Sequence, residues 1–397
     1  MKNMKRTYHI GPGVRAVLLM LTGALALAAQ TEALEQKVAR IHREAVAVDT
    51  HLDTLQRVLY EGVDLGRRLP DGQVDLPRLR EGGVHAPFFA VWVDSIFKGR
   101  AAVRQTDKLI DAMEGVIKKY PDQVELARTA ADVERIRKAG RIAALMGIEG
   151  GHAINDSLDE LRRFHQRGIR YMTLTWANNT SWADSSGDPR RRGGLNDFGR
   201  QVVREMNRIG MIVDISHVSD ETFYDVIKAT QKPVIASHSS CRALANVKRN
   251  MSDDMIRALA RNGGVIGINF YSGFLDAEFN RRLNAGKPYR PGPKDLGDLH
   301  RLGAERYKTF ITMTSLPPLP LEKLIDHIDH AVKRVGPDHV GLGSDFDGID
   351  ASPAGMEDVS KIPNITRALL QRGYSEVDVK KILGGNFMRV LKAVTGS

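Results

Sequence analysis

Short apolar, β-branched or aromatic runs alternate with longer segments of helical periodicity along most of this chain. Eight runs have strand character, at residues 45–49, 84–93, 142–148, 169–175, 211–215, 234–237, 265–270 and 340–343. Helical spacing of apolar positions predicts helices between them, among others at 102–119, 156–166, 198–209, 221–230 and 321–335. Ser252, followed by Asp253 and Asp254, reads as an N-cap with acids placed favourably against the helix dipole. Strand–helix alternation on this scale means a parallel sheet, and eight units predict closure into a (β/α)8 TIM barrel. The rival is an open doubly wound sheet, which would normally carry a Gly-rich phosphate turn after its first strand. None is present.

Two stretches fall outside the repeat. Residues 62–77 are rich in Gly, Pro and Arg and are expected to cross the surface. Residues 274–320 are long, basic and Pro-rich, and separate the seventh and eighth strands. A connection of that length is usually functional or disordered, and here it is read as an insertion over part of the barrel mouth.

With 397 residues, 42% apolar and 27% charged, the chain can fill one large barrel domain, expected over residues 30–397. Residues 1–29 read as a secretory signal peptide. Lys2, Lys5, Arg6 and Arg15 come with no acid among them, the apolar run 16–27 follows, and small residues Ala24, Ala26, Ala28 and Ala29 close the segment. The run is shorter than the ~20 residues a spanning helix needs, so a cleaved signal and a periplasmic protein are expected, with an uncleaved anchor as the alternative. No cysteine follows the run to carry a lipid, and no apolar C-terminal tail predicts a GPI anchor. Four of the 58 basic residues thus belong to the signal; the rest alternate with acids on helix faces, which gives nucleic-acid binding no support. Cys241 is the single cysteine, so no intrachain disulfide can form.

The chemistry is positional. Five candidate strands run into a metal-capable residue at their C-terminal ends, the face where barrel enzymes react. The first leads into His51-Leu52-Asp53, the third into Glu149-Gly150-Gly151-His152, the fifth into Ser216-His217, the sixth into Ser237-His238 and the eighth into Ser344-Asp345. His51 and Asp53 are two apart, so extended backbone points both the same way. Imidazole with carboxylate suits zinc or a divalent metal of similar softness. Any one of these positions reads more readily as a packed or surface histidine; even with His152 set apart, three histidines and three carboxylates at five strand ends do not read as packing. They exceed the three or four protein ligands of one catalytic zinc and fit two cations sharing a carboxylate, for which Glu149 is the natural bridge. Two such cations would hold a hydroxide and polarise a carbonyl, which is hydrolysis chemistry. Gly150 and Gly151 serve either close backbone approach or a simple tight turn. Ser237, Ser239 and Ser240 do not fit the G-x-S-x-G elbow of a serine hydrolase and are read as helix caps or loop-backbone partners. Cys241 beside them is discounted as a nucleophile.

These motifs in this order resemble the membrane dipeptidase (renal dipeptidase) family, zinc peptidases of the amidohydrolase barrel type. The resemblance runs from about Ala45 to the C-terminus. Besides the strand ends it includes Gln73-Val74-Asp75-Leu76-Pro77, Leu174-Thr175-Trp176, Trp182-Ala183-Asp184, Asp345-Phe346-Asp347-Gly348 and Gly385-Asn386-Phe387. It implies two zinc ions per subunit, with His51 and Asp53 on one, His217 and His238 on the other, and Glu149 bridging. It further implies that His152 contacts the scissile carbonyl oxygen and Arg249 pairs with the substrate's C-terminal carboxylate. Asp345 would move protons between water and leaving amine, and Tyr271 would line the pocket. Implied, too, are hydrolysis of dipeptides, including those ending in a D-residue, and a homodimer. Leu52 departs from the Asn often found between the first two ligands; it points away from them, so little effect is expected. The alternatives are an amidohydrolase acting on N-acyl amino acids or lactams, and a non-catalytic binding protein on the same scaffold.

Overall fold

The computed structural model describes residues 31–285 and 298–396. The signal-like segment at the N-terminus and part of the 274–320 insertion lie outside the described residues. All eight expected strands form, and a short ninth, too brief to show a pattern in sequence, joins them. They are β1 (Ala47–Leu52), β2 (Val84–Trp92), β3 (Val124–Leu126), β4 (Ile142–Glu149), β5 (Ile169–Thr173), β6 (Ile212–Asp214), β7 (Ile235–Ser239), β8 (Val265–Ile268) and β9 (Val340–Leu342). Neighbours run β1-β2-β4-β5-β6-β7-β8-β9, all parallel, while β3 pairs only with β4. Beyond β9 the chain closes the cylinder. Asp345 N donates to His51 O at 3.0 Å, and Asp53 N donates to Phe346 O at 2.9 Å. The sheet is a (β/α)8 barrel.

Strand β1 starts and ends later than its apolar run, because its end is held on both sides, by β2 and by the Phe346 bridge. His51 therefore lies within a strand rather than on a loop. The helices form close to where periodicity puts them, for instance Arg100–Lys119, Asp197–Ile209 and Leu321–Val335. Ser252 is the expected cap, its side chain accepting from Met255 N.

The barrel interior is apolar at its lower end. Val48, Phe88, Leu145, Tyr171, Ile212 and Val265 pack there with Phe387, whose ring meets Phe88 edge-on at 4.9 Å. Asn386 fixes that plug from the last helix, Asn386–Thr395, by donating to Pro337 O and Val340 O at 2.6 and 2.8 Å. Higher up, glycines make room: a Cβ on Gly147 would stand 2.1 Å from the Tyr171 ring. Leu52 faces outward into the core between barrel and helices.

Residues 62–77 do not simply cross the surface. Leu65, Val74 and Asp75 are buried, and Gln73 is tied to the chain after β9. Its N donates to Asp347 Oδ1 at 2.7 Å and its side-chain oxygen accepts from Asp347 N at 2.8 Å. Burial of the Val74–Asp75 segment, where the polar stretch leads into the helix Leu76–Glu81, is the part that composition misplaced. Among the described residues the insertion contributes two helices, Ala277–Asn284 and Leu299–Ile311. No helix among the described residues is long and apolar enough to cross a membrane.

Candidate active site

The strand ends bring six predicted residues into one knot. Donor atoms of His51, Asp53 and Glu149, of Glu149, His217 and His238, and of His51, His238 and Asp345 form three overlapping groups. Within each group they lie within 4.8 Å of one another. Glu149 is central, and its two oxygens face different partners. Oε2 lies 3.2 Å from His51 Nε2; Oε1 lies 2.8 Å from His217 Nε2 and 3.3 Å from His238 Nε2. Asp53 Oδ2 sits 3.6 Å from His51 Nε2, so the two-residue spacing does put both side chains on one side.

Each imidazole on β1 and β7 is held by its far nitrogen. His51 Nδ1 lies 2.7 Å from Tyr171 OH. His238 Nδ1 lies 2.7 Å from Ser237 Oγ, and that hydroxyl is 2.6 Å from Asp214 Oδ2. Asp214 already accepts from Thr173 Oγ1, Ser216 N and Ser237 N. Ser237 therefore donates its proton to Asp214 and accepts from His238 Nδ1–H, which turns the bare Nε2 lone pair to the cluster. Ser237 is thus a partner of a histidine, not the helix cap or loop-backbone partner expected of it, and Ser239 Oγ accepts from Arg249 Nη1 at 2.8 Å. His217 and Asp345 sit at φ 68° and 66°. Left-handed backbone at two non-glycine positions is strain of the kind that functional sites retain.

Small residues complete the fit. A Cβ on Gly348 would stand 2.1 Å from Asp53 Oδ2. Gly150 is at φ 105°, where a Cβ would also press the His152 ring at 2.6 Å. Close approach and a tight turn are both served.

The electrostatics favour a cation. Burial pushes the Asp53 carboxyl well above its usual range, and neighbouring Glu149 and Asp345 push the same way. Its Oδ1 is buried with no hydrogen-bond partner. Burial also opposes charge on Glu149, yet His51, His217 and His238 hold it well below the carboxylate range. Burial lowers the pKa values of His238 and His217, as a ligand requires. On His51 the neighbouring Tyr171, Glu149 and Asp53 outweigh burial and hold the pKa well above its ordinary value, so a cation there takes the place of that proton. A group of three imidazoles and three carboxylates, buried except for half-buried His217 and Asp345 and with one oxygen unpartnered, fits divalent metal ions by donor type and number.

The remaining predicted residues surround this knot. Neither His152 ring nitrogen makes a well-formed hydrogen bond, although the Val93 and Asp94 backbone lies against the ring, and burial lowers its pKa. Arg249 reaches back to the strand, Nη2 donating to His238 O at 2.6 Å, while its Nε has no partner. Burial pulls its pKa down to about 10, so it stays charged at neutral pH. Asp345 Oδ2 accepts from Asn269 Nδ2 at 2.9 Å. Tyr271 lines a cavity of about 550 Å³ together with Asp53, Glu149, His217 and Asp345. Across it stand Trp92, Trp176, Tyr307 and Phe310, the last two from the insertion. Cys241 is buried, with its thiol pushed up to about 12 by burial, which suits an inert side chain.

Sequence reasoning missed Tyr171, Asp214, Ser237 as an orienting group, Asn269, Trp92 and Phe310. Polar Asp214 and Ser237 in otherwise apolar strands were the available signal, since a buried polar side chain needs a partner.

The family model described as membrane dipeptidase (peptidase family M19) matches residues 35–396. Dipeptidase tcpJ of Claviceps purpurea is 38% identical over 332 residues, covering 81% of this chain and 69% of that protein. Dipeptidase aclJ of Aspergillus oryzae is 36% identical over 329 residues, covering 81% and 69%. Among solved structures, the probable dipeptidase PvdM from Pseudomonas aeruginosa superposes with a TM-score of 0.78 at 28% identity, covering 92% of this chain and 99% of that one. A metallo peptidase from Rhodobacter sphaeroides, liganded with a phosphinate mimic of the dipeptide L-Ala-D-Ala, gives 0.74 at 26% identity, covering 88% and 99%.

Proposed function

This chain belongs to the membrane dipeptidase family, peptidase family M19, and we propose that it hydrolyses dipeptides, including those ending in a D-residue, at a centre of two zinc ions. That it is a peptidase of the barrel metallohydrolase type follows from the family. The finer reading rests above all on Glu149, whose two oxygens divide between His51 on one side and His217 with His238 on the other. This is the arrangement a bridging carboxylate requires. The dipeptide mimic in the Rhodobacter sphaeroides enzyme supports the D-residue.

Bound here, divalent cations would polarise the scissile carbonyl and lower the pKa of water in the cleft. His51 and Asp53 would hold one, His217 and His238 the other. The protein's own groups then supply three functions. Arg249 binds the substrate's free carboxylate through its unpartnered N–H, a charge-assisted bond that limits the enzyme to short peptides. His152, neutral because it is buried, donates an N–H to the carbonyl oxygen as negative charge develops there. Asp345, fixed by Asn269, takes a proton from the attacking water and returns it to the departing amine.

The test is metal analysis with a dipeptide panel of L-Ala-D-Ala and L-Ala-L-Ala, beside an N-acyl amino acid, with and without chelator. Hydrolysis of both dipeptides that chelator abolishes and zinc restores supports the proposal. Faster turnover of the N-acyl amino acid, or rates indifferent to chelator, would refute it.

A further inference from the structure

Two differently built walls face each other across the mouth. Around the barrel, Trp92 ends β2 and Trp176 follows β5, whereas Arg249 and Phe274 follow β7 and β8 on the opposite side. Phe310 belongs in sequence beside neither tryptophan, since its helix, Leu299–Ile311, lies between β8 and β9. Yet its ring packs edge-on against both. The centroids lie 5.7 Å from Trp92 and 5.7 Å from Trp176, and the two tryptophans meet at 5.1 Å. The helix is pinned in that position by the residues just before Phe310. Arg306 Nε donates to the buried Asp94 at 2.6 Å, and Tyr307 OH donates to Asp347 O at 2.9 Å. Phe310 nonetheless stays 39% exposed while lining the cavity. A large apolar ring held in place and left open is surface that a ligand can cover.

Resting on the dipeptidase reading, we propose that Phe310, with Trp92 and Trp176, receives the side chain of the dipeptide's N-terminal residue and selects bulky apolar residues there. A dipeptide whose carboxylate is held at Arg249 and whose scissile carbonyl lies over Glu149 must project its N-terminal residue away from β7 and β8. That direction leads to the aromatic wall. Three rings meeting edge-on leave faces and edges against which an aliphatic or aromatic side chain packs. A hydrophobic pocket of this kind discriminates by about tenfold or more per group of methylene size.

The experiment compares kcat/KM for Leu-Ala and Phe-Ala with that for Ala-Ala, in the unaltered zinc-loaded enzyme and in Phe310→Ala and Phe310→Tyr. The unaltered enzyme is expected to favour the bulky substrates. In Phe310→Ala that ratio falls about tenfold, mainly through KM, and Phe310→Tyr retains it. A ratio unchanged in Phe310→Ala overturns the inference. So does a changed preference for the C-terminal residue in place of the N-terminal one. An unaltered enzyme that hydrolyses none of these dipeptides overturns the dipeptidase reading itself, and this inference with it.

Discussion

Replacing Ser237 by alanine removes a single oxygen, and its consequence can be worked out from three hydrogen bonds. Ser237 Oγ stands between Asp214 Oδ2, at 2.6 Å, and His238 Nδ1, at 2.7 Å. Asp214 loses little, because Thr173 Oγ1 and the backbone N–H groups of residues 216 and 237 still donate to it. His238 loses its acceptor. A buried N–H left unsatisfied costs about 1–3 kcal/mol, and the neutral ring relieves that cost by moving its proton to Nε2. That is the atom facing Glu149 and His217, so the lone pair needed for a metal is lost. Removal of such an orienting partner typically lowers metal affinity about 10–100-fold, equivalent to ~1.4–2.8 kcal/mol. Only one half of the site should suffer, because His51 is oriented separately by Tyr171. Zinc titration against a chromophoric chelator should show one binding event weakened about 10–100-fold in Ser237→Ala and the other within about twofold of the original. Tyr171→Phe should weaken the opposite event. Two unchanged affinities in Ser237→Ala would refute the reasoning.

In Gly348→Ala the new Cβ would meet Asp53 Oδ2 at 2.1 Å; displacement of a ligand by about 1 Å should cost about a hundredfold in kcat/KM. Unchanged turnover in that variant would place Asp53 outside the machinery. Arg249→Lys keeps the charge but loses the planar fork, so KM for dipeptides should rise at least about tenfold with little change in kcat; an unaltered KM assigns the carboxylate to another residue. His327 accepts from Cys241 N at Nδ1 (3.0 Å) and donates to Leu275 O from Nε2 (3.1 Å), which only the neutral ring can do. Burial lowers its pKa from the ordinary 6.5 to about 4. The unfolded chain therefore binds more protons in that window, and stability present above pH 6.5 is lost as pH falls toward 4, by about 3 kcal/mol from this group. Thermal melts between pH 7 and pH 4 should fall less steeply in His327→Gln, and equal slopes would contradict the assignment.

The barrel and the metal-ligating candidates were legible for one reason: strand ends of a parallel barrel converge, so His51, Glu149, His217 and His238 could be gathered without knowing any distance. Period-two alternation could not reveal how they are oriented. Tyr171 reaches His51 across the interior only because Gly147 on the adjacent β4 leaves space for its ring, a pairing of neighbours that no single run displays. Ser237 looked like a cap or loop-backbone partner because a serine near a strand end usually is one, and Asp214, which changes that reading, lies on another strand. The segment at Val74 and Asp75, which leads into a helix, was misjudged by its polar composition, although contacts to Asp347 from Gln73 draw it inward. Phe310 was beyond sequence altogether, since its contacts with Trp92 and Trp176 depend on how a long connection folds back over the mouth.

Metal stoichiometry in the Glu149→Ala variant examines the shared carboxylate most directly. Protein stripped with chelator, reloaded with zinc and freed of excess should carry two ions per chain by elemental analysis when unaltered. The Glu149→Ala protein should retain neither at the same free zinc concentration and should not turn over dipeptides. A variant that keeps both ions and full activity, or an unaltered enzyme fully active with one, would contradict the account.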